Sequence, residues 1–175
     1  SIITTIDIQN EIITNLIINR LEVTQENIDK NKNYAVKNLI NKEIKKSEIN
    51  KYQIQDYSKK DLKNYTENIA RNLNTNINGL KKTFNQFNVS YKLFEEKHVI
   101  ELTWNTLIYQ LYKNQTNINI VDVNNDIDKI RENKSEEELK KIKEGILNQK
   151  KEEKLNLFSR SHFSNLENSV SINFK

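Results

Sequence analysis

The chain contains no proline and only two glycines among its 175 residues. This composition excludes collagen-like repeats, proline-rich linkers and the glycine-rich loops that bind phosphate groups. Cysteine is also absent, which excludes a disulfide-linked fold, a zinc site with cysteine ligands and thiol catalysis. The length is sufficient for one domain with a hydrophobic core.

The net charge of +4 comes from 28 basic and 24 acidic residues that are interleaved along the chain. This pattern indicates a solvated surface of mixed charge. The chain shows no basic stripe with interleaved aromatic residues, so we expect no nucleic-acid binding. No stretch approaches the roughly 18 apolar residues of a membrane span. The first residue is not methionine, so we expect that an upstream segment was removed, either a signal peptide or a segment lost by trimming.

The N-terminal segment is predicted to form a hairpin. Isoleucines at 2, 3, 6 and 8 lie among Thr and Asp, and residues 4–8 show the alternation that is typical of a strand. Gln9-Asn10 is a plausible turn. Residues 11–13 can return as a second strand. Thr14 is then predicted to cap a short helix over residues 15–21.

The C-terminal segment is also predicted to be a strand, because Val170, Ile172 and Phe174 alternate with polar residues. Each terminal strand needs a partner, so we expect a small β-ribbon that joins the N- and C-terminal strands. A strand whose partner lies far away in sequence can also pair between chains. A homodimer formed by exchange of a strand or a helix is therefore one assembly that the pattern allows.

Between the two ends, apolar residues recur at spacings of three and four, which predicts helices. Candidate N-caps precede several of these segments, and Ser135 with Glu138 has the spacing of a capping box. Residues 118–122 are predicted to be extended. The helices are predicted over residues 25–46, from Ser58, from Thr75, over 91–114 from Ser90, over 123–131 after Asp122, and over 136–160.

The predicted helix over residues 91–114 contains Trp104, the sole tryptophan, and is apolar around most of its circumference. Such a helix is either central in a fold or shared with a partner. The acidic pairs of the chain lie on adjacent helical positions, so their side chains diverge and do not converge on one substrate. His98 and His162 stand alone in the sequence, so we expect no catalytic residue, metal site or cofactor.

Residues 57–128 resemble the N-terminal domain of the SurA family, the periplasmic chaperones of outer-membrane proteins. Three segments carry the resemblance: SKKDLKNYTENIARN at 58–72, FNQFNVSYKLFEEKHVIELTWNTLIYQLY at 84–112 and NINIVDVNNDID at 117–128. Residues 3–13 resemble the opening hairpin of the family, and residues 137–175 resemble its C-terminal helix and final strand.

The resemblance implies a mainly α fold. A helical domain like the SurA N-terminal domain would cover residues 1–132, and a C-terminal helix and strand over 133–175 would pack back on it as one structural unit. SurA relatives usually carry one or two parvulin prolyl isomerase domains of ~90 residues between these parts. Here Asp128 and Ser135 are separated by seven positions and glycine is scarce. The resemblance therefore implies the chaperone core without the isomerase.

The implied function is that of a non-enzymatic holding chaperone in the periplasm. It would bind unfolded outer-membrane proteins or aromatic-rich peptides in an apolar groove, although the same side chains also suit a hydrophobic core. The alternatives are a small helical surface or adhesive binding protein and, less favoured, a peptidyl-prolyl isomerase. The candidate groove residues are Phe84, Phe87, Ile100, Trp104, Leu107, Ile108, Tyr109, Leu139, Ile142 and Ile146.

Overall fold

A computed structural model describes residues 1–131 and 134–171, and no strand occurs within these ranges. The predicted mainly α class is therefore confirmed. A short 3-10 helix over Lys113–Gln115 follows the fifth helix. The α-helices are α1 (Thr5–Ile18), α2 (Gln25–Lys51), α3 (Lys59–Asn72), α4 (Ile77–Gln86), α5 (Tyr91–Tyr112), α6 (Ile120–Asp128) and α7 (Glu136–Ser169).

The predicted N-terminal hairpin is wrong, because its residues 5–13 belong to helix α1 and residues 2–4 precede that helix without regular structure. The helix begins with a capping box: Thr4 Oγ1 accepts from the Asp7 backbone N–H at 3.2 Å, and Asp7 Oδ2 accepts from the Thr4 backbone N–H at 2.8 Å. Every residue from 11 to 17 is buried. A helical segment that is buried on all sides shows no polar face, so residues 11–13 had the apolar pattern of a short strand.

The predicted β-ribbon is also wrong in the described part of the chain, since its N-terminal partner is a helix. Helix α7 continues to Ser169, well beyond its predicted end, and Val170 and Ser171 have no regular structure. The remainder of the predicted terminal strand, with Ile172 and Phe174, lies outside the described residues.

Residues 118–122 contain a run of β-branched residues, and the prediction of an extended segment there is wrong. Helix α6 begins at Ile120, because Asn119 Oδ1 accepts from the Val121 backbone N–H at 3.0 Å and so caps the helix. Val123 and Ile127 lie one turn apart and are both buried. Local capping and the burial of this face together outweigh the β-propensity of the segment.

Several predicted helix starts are confirmed by their hydrogen bonds. The hydroxyls of Ser58 and Ser90 accept from the backbone N–H three residues further on, at 3.1 and 3.3 Å respectively. Ser135 and Glu138 form the predicted capping box, in which the Ser135 backbone N–H donates to Glu138 Oε2 at 2.8 Å. Helix α4 starts one residue later than predicted, because Asn76 is its cap.

The described residues form two compact units, which we treat separately. Unit 1 comprises residues 1–107 with 170–171, and unit 2 comprises the described residues between 108 and 169. The units divide between residues 107 and 108, within α5. The boundary at residue 132 suggested by the sequence stays a prediction.

The core of unit 1 surrounds α1. Ile12 and Leu16 pack with Ala35 of α2 in one cluster. The other side of α1 contributes to a second cluster of buried residues, which consists of Ile13, Ile17, Ala70, Leu80, Phe84, Val89 and Phe94. Helix α1 is therefore the central element of unit 1, a role that the sequence had suggested for α5. None of the helices in the described ranges combines the length and apolar character needed to cross a membrane.

Candidate functional site

The candidate groove residues of unit 1 lie mostly in its interior. Phe84, Trp104 and Leu107 are buried, and Ile100 is half-buried. Phe87 is 41% exposed at the C-terminal end of α4. The three buried side chains therefore belong to the core of unit 1 in this structure, which is the other role that their spacing allowed.

The candidate groove residues of unit 2 are more accessible. Ile108 is buried, but Tyr109 is 54% exposed. Leu139, Ile142 and Ile146 of helix α7 are all half-buried. The three α7 side chains lie at spacings of three and four residues and so share one face of the helix.

Helix α7 has 34 residues, yet none of its side chains is fully buried. Leu157 is 63% exposed. It follows Leu139 by 18 residues, which is five full turns at 3.6 residues per turn, so both lie on the same face of the helix. We call Leu139, Ile142, Ile146 and Leu157 the α7 apolar face. This face is partly covered near its start and open at Leu157.

The short length of α6 explains the incomplete cover. Helix α6 packs against α7, but its nine residues span about 14 Å, whereas the 34 residues of α7 span about 51 Å. Helix α7 also contacts the end of α5 through Phe158 and Tyr112, and Lys154 Nζ donates to the Asn117 backbone carbonyl at 2.6 Å. Unit 2 therefore lacks a partner helix as long as α7 among its described residues.

Lysine side chains connect α7 to the rest of unit 2. Lys150 Nζ pairs with Asp126 Oδ2 at 3.0 Å, and its hydrogen bond is the main cause that lowers the pKa of Asp126. Lys143 Nζ donates to Asn124 Oδ1 at 2.8 Å. These contacts lie at the surface, so each contributes little to the free energy of unfolding. They join α6 to α7 at defined positions.

Aromatic contacts hold the end of α5 against α7. The rings of Tyr112 and Phe158 stack with centroids 4.8 Å apart and nearly parallel planes. The Tyr112 hydroxyl is also 2.8 Å from His162 Nδ1. These contacts could not be predicted from the sequence, because they join residues about fifty positions apart.

Unit 1 contains a second candidate site, a cavity of about 300 Å³ between α1, α2, α3 and α5. Three lysines line it, namely Lys42, Lys45 and Lys97. Lys45 Nζ is 2.5 Å from Glu101 Oε2 and lies 5.8 Å from the centroid of the Trp104 ring. The cavity thus combines cationic groups with a carboxylate that neutralises part of their charge.

A buried carboxylate, that of Glu11, binds two of the side chains that line this cavity, Asn38 and Lys97. Glu11 is only 7% exposed, and its Oε1 accepts hydrogen bonds from three side chains. Asn15 Nδ2 donates at 3.2 Å, Asn38 Nδ2 at 3.0 Å and Lys97 Nζ at 2.5 Å. A charge in such a position needs both a partner charge and hydrogen bonds, and Glu11 has both. The sequence offered one signal for it: an acidic residue directly before the apolar pair Ile12 and Ile13.

One wall of the cavity is aromatic. Tyr65 and His98 stack with ring centroids 3.6 Å apart and an interplanar angle of 11°. Phe94 stacks on the Tyr65 ring at 5.8 Å. Burial, and secondarily the charge of Glu11, raises the pKa of Tyr65. Burial also lowers the pKa of His98, and this outweighs the opposing effect of Glu101 and Asp61.

The lowered pKa of His98 predicts a pH dependence of stability. The ordinary pKa is 6.5, so as the pH falls through this value the unfolded chain binds a proton before the folded chain does. As the pH is lowered below about 6.5, the free energy of unfolding should therefore decrease, until the folded His98 is protonated as well. Urea denaturation at a series of pH values measures this slope, and His98→Gln should reduce it. An unchanged slope in the variant would contradict this assignment.

No matching family model, curated protein or solved structure was found for the chain. Within residues 1–131 and 134–171, no three His, Asp or Glu side chains converge in a way that could hold a metal ion.

Proposed function

We propose that the protein is a non-enzymatic holding chaperone of the periplasmic kind, which binds unfolded outer-membrane protein precursors through the α7 apolar face. The observation that carries this proposal is that a helix of 34 residues has apolar side chains at both ends of one face and buries none of them fully. The resemblance of residues 57–128 and 137–175 to the SurA family supports the same function.

The exposure of this face suits reversible binding. Full burial of one Leu or Ile side chain contributes about 1.5–3 kcal/mol, and these side chains are already partly covered. Four of them would supply only a few kcal/mol after the ordering cost of the client is subtracted. A single contact of this kind is weak, so a client can bind at several places and still be released.

Lysines beside the apolar face add adaptability. Lys143, Lys150 and Lys154 are half-buried along α7. Their aliphatic stems extend the apolar surface, while their ammonium groups stay close to water. A surface of this composition accepts segments of differing sequence and favours none strongly.

The test is the suppression of aggregation. An unfolded β-barrel precursor is diluted out of urea with and without the protein, and light scattering is followed. We expect Leu157→Asn to weaken suppression, and Ile142→Asn combined with Ile146→Asn to weaken it further. The Leu157 side chain is 63% exposed, so its replacement does not disturb packing.

The matched control is Ile6→Asn, since Ile6 is 70% exposed on α1 of unit 1 and lies outside the α7 apolar face. It should suppress aggregation as well as the unchanged protein. Circular dichroism checks that each variant keeps its helices. Failure of the unchanged protein to suppress aggregation, or equal activity of the α7 variants and the control, would overturn the proposal.

A further inference from the structure

The cavity of unit 1 lies outside the α7 apolar face, and its inferred role does not rest on the proposed chaperone function. Its volume is about 300 Å³. A water molecule occupies about 30 Å³ of the liquid, so the cavity has room for a ligand of roughly ten non-hydrogen atoms. This is at the lower end of the range for small-molecule sites.

One polar atom of the cavity wall lacks a hydrogen bond. Asn41 lines the cavity, and its Oδ1 is buried with no hydrogen-bond partner among the residues that the structure describes. Buried polar atoms are nearly always paired, and an exception calls for a missing partner. An amide oxygen accepts hydrogen bonds only, so the missing partner is an N–H or O–H donor.

The cationic groups of the cavity are unequally neutralised. Lys45 and Lys97 each contact a carboxylate at 2.5 Å. The ion pair of Lys42 with Glu43 is longer, at 3.7 Å, and joins neighbours in sequence. Lys42 also acts on the carboxylate of Asp7, but as the smallest of the causes that lower the pKa of Asp7. Of the three ammonium groups, that of Lys42 therefore has the most to gain from an incoming anion. Lys42 directly follows Asn41 in the sequence, so the ammonium group and the amide oxygen lie on the same turn of α2.

We infer that this cavity binds a small carboxylate that carries an adjacent N–H or O–H donor. The carboxylate lies on Lys42, and the donor reaches Asn41 Oδ1 after the covered Asn41 amide turns toward the cavity. The stacked rings of Tyr65 and His98 offer an apolar wall for the carbon atoms of the ligand. Two kinds of ligand share this chemistry. One is a free small acid, either a hydroxy acid or an N-acylated amino acid, and the other is the carboxyl-terminal residue of a peptide.

Trp104 provides a reporter in the full chain, since it is the sole tryptophan and Lys45 lies both in the cavity wall and 5.8 Å from its ring. Binding is measured by tryptophan fluorescence and, independently, by calorimetric titration. The probes are lactate, propionate without the hydroxyl donor, lactamide without the charge, and tri-alanine with a free or an amidated carboxyl end.

We expect saturable binding of lactate or of tri-alanine with a free carboxyl end, and at least about tenfold weaker binding of the matched probe that lacks the charge. Binding of lactate alone assigns the site to free small acids, and tighter binding of tri-alanine assigns it to peptide ends. Propionate should bind more weakly than lactate. Asn41→Leu should abolish that difference, because it removes the acceptor.

The charge is tested with Lys42→Gln, which should weaken binding about tenfold or more. Lys46→Gln is the matched control, since Lys46 is exposed on the same helix and does not line the cavity. Thermal unfolding checks that the variants stay folded. No saturable binding by either method at about 10 mM of every probe would mean that the cavity holds only water, and would overturn the inference. Equal binding by Lys42→Gln and Lys46→Gln would overturn it as well.

Discussion

Replacing Phe84 with alanine is expected to lower the free energy of unfolding by about 3–5 kcal/mol, because Phe84 has no exposed surface and its removal leaves a cavity in the core of unit 1. Its ring packs 5.2 Å from that of Phe94 and 5.9 Å from that of Tyr91, measured between centroids. The core atoms around Phe84 come from several helices and relax only partly when the ring is lost.

Phe87 supplies the matched comparison, since it carries the same side chain three residues later. It is 41% exposed, so Phe87→Ala should cost less than about 1 kcal/mol. Urea denaturation followed by circular dichroism measures both variants. Similar losses for the two would show that the inward face of α4 is assigned incorrectly. A large loss for Phe84 alone would confirm its place in the core.

The helix starts could be predicted from the sequence because their hydrogen bonds are local. The caps at Ser58, Ser90 and Ser135 each join a side chain to a backbone N–H three residues away. Such a pattern is complete within a short window, and distant residues do not alter it. The starts of α3, α5 and α7 therefore followed from the sequence.

The N-terminal helix could not be predicted in the same way. Seven consecutive residues of α1 are buried, and they include the polar side chains of Glu11, Thr14 and Asn15. Hydrophobic periodicity depends on a solvent-facing side, which residues 11–17 of α1 lack. The Thr4–Asp7 capping box was a local signal for the helix, but the alternation of Ile and polar residues over 4–8 matched a strand equally well.

The candidate sites show the same limit. Apolar residues at helical spacing were correctly identified, but the spacing does not distinguish a core side chain such as Phe84 from a partly open one such as Ile142. The cavity of unit 1 was not predicted, since it depends on contacts between distant residues. Glu11 and Lys97 are 86 positions apart, and Lys45 and Glu101 are 56 apart.

The contact between Glu11 and Lys97 gives the second large effect. Lys97→Met is expected to lower the free energy of unfolding by about 2–3 kcal/mol, because it leaves the Glu11 carboxylate buried without a cation. The value lies below that of a fully enclosed pair, since the Lys97 side chain is 30% exposed and water screens it in part. Asn15 and Asn38 would still donate to Glu11, but amide donors do not neutralise its charge.

A double-mutant cycle separates the loss of the pair from the penalty of an unpaired charge. Glu11→Gln added to Lys97→Met should restore most of the lost stability, because glutamine fills the same space without a charge. Lys92→Met is the matched control on the same helix, since its ion pair with Glu96 is 3.7 Å long and largely exposed, and its loss should be below about 0.5 kcal/mol. Additive losses from Glu11→Gln and Lys97→Met would contradict an energetic coupling between these groups. Recovery in the double variant would instead show that α1 and α5 are joined by an ion pair in which either group alone is costly to leave unpaired.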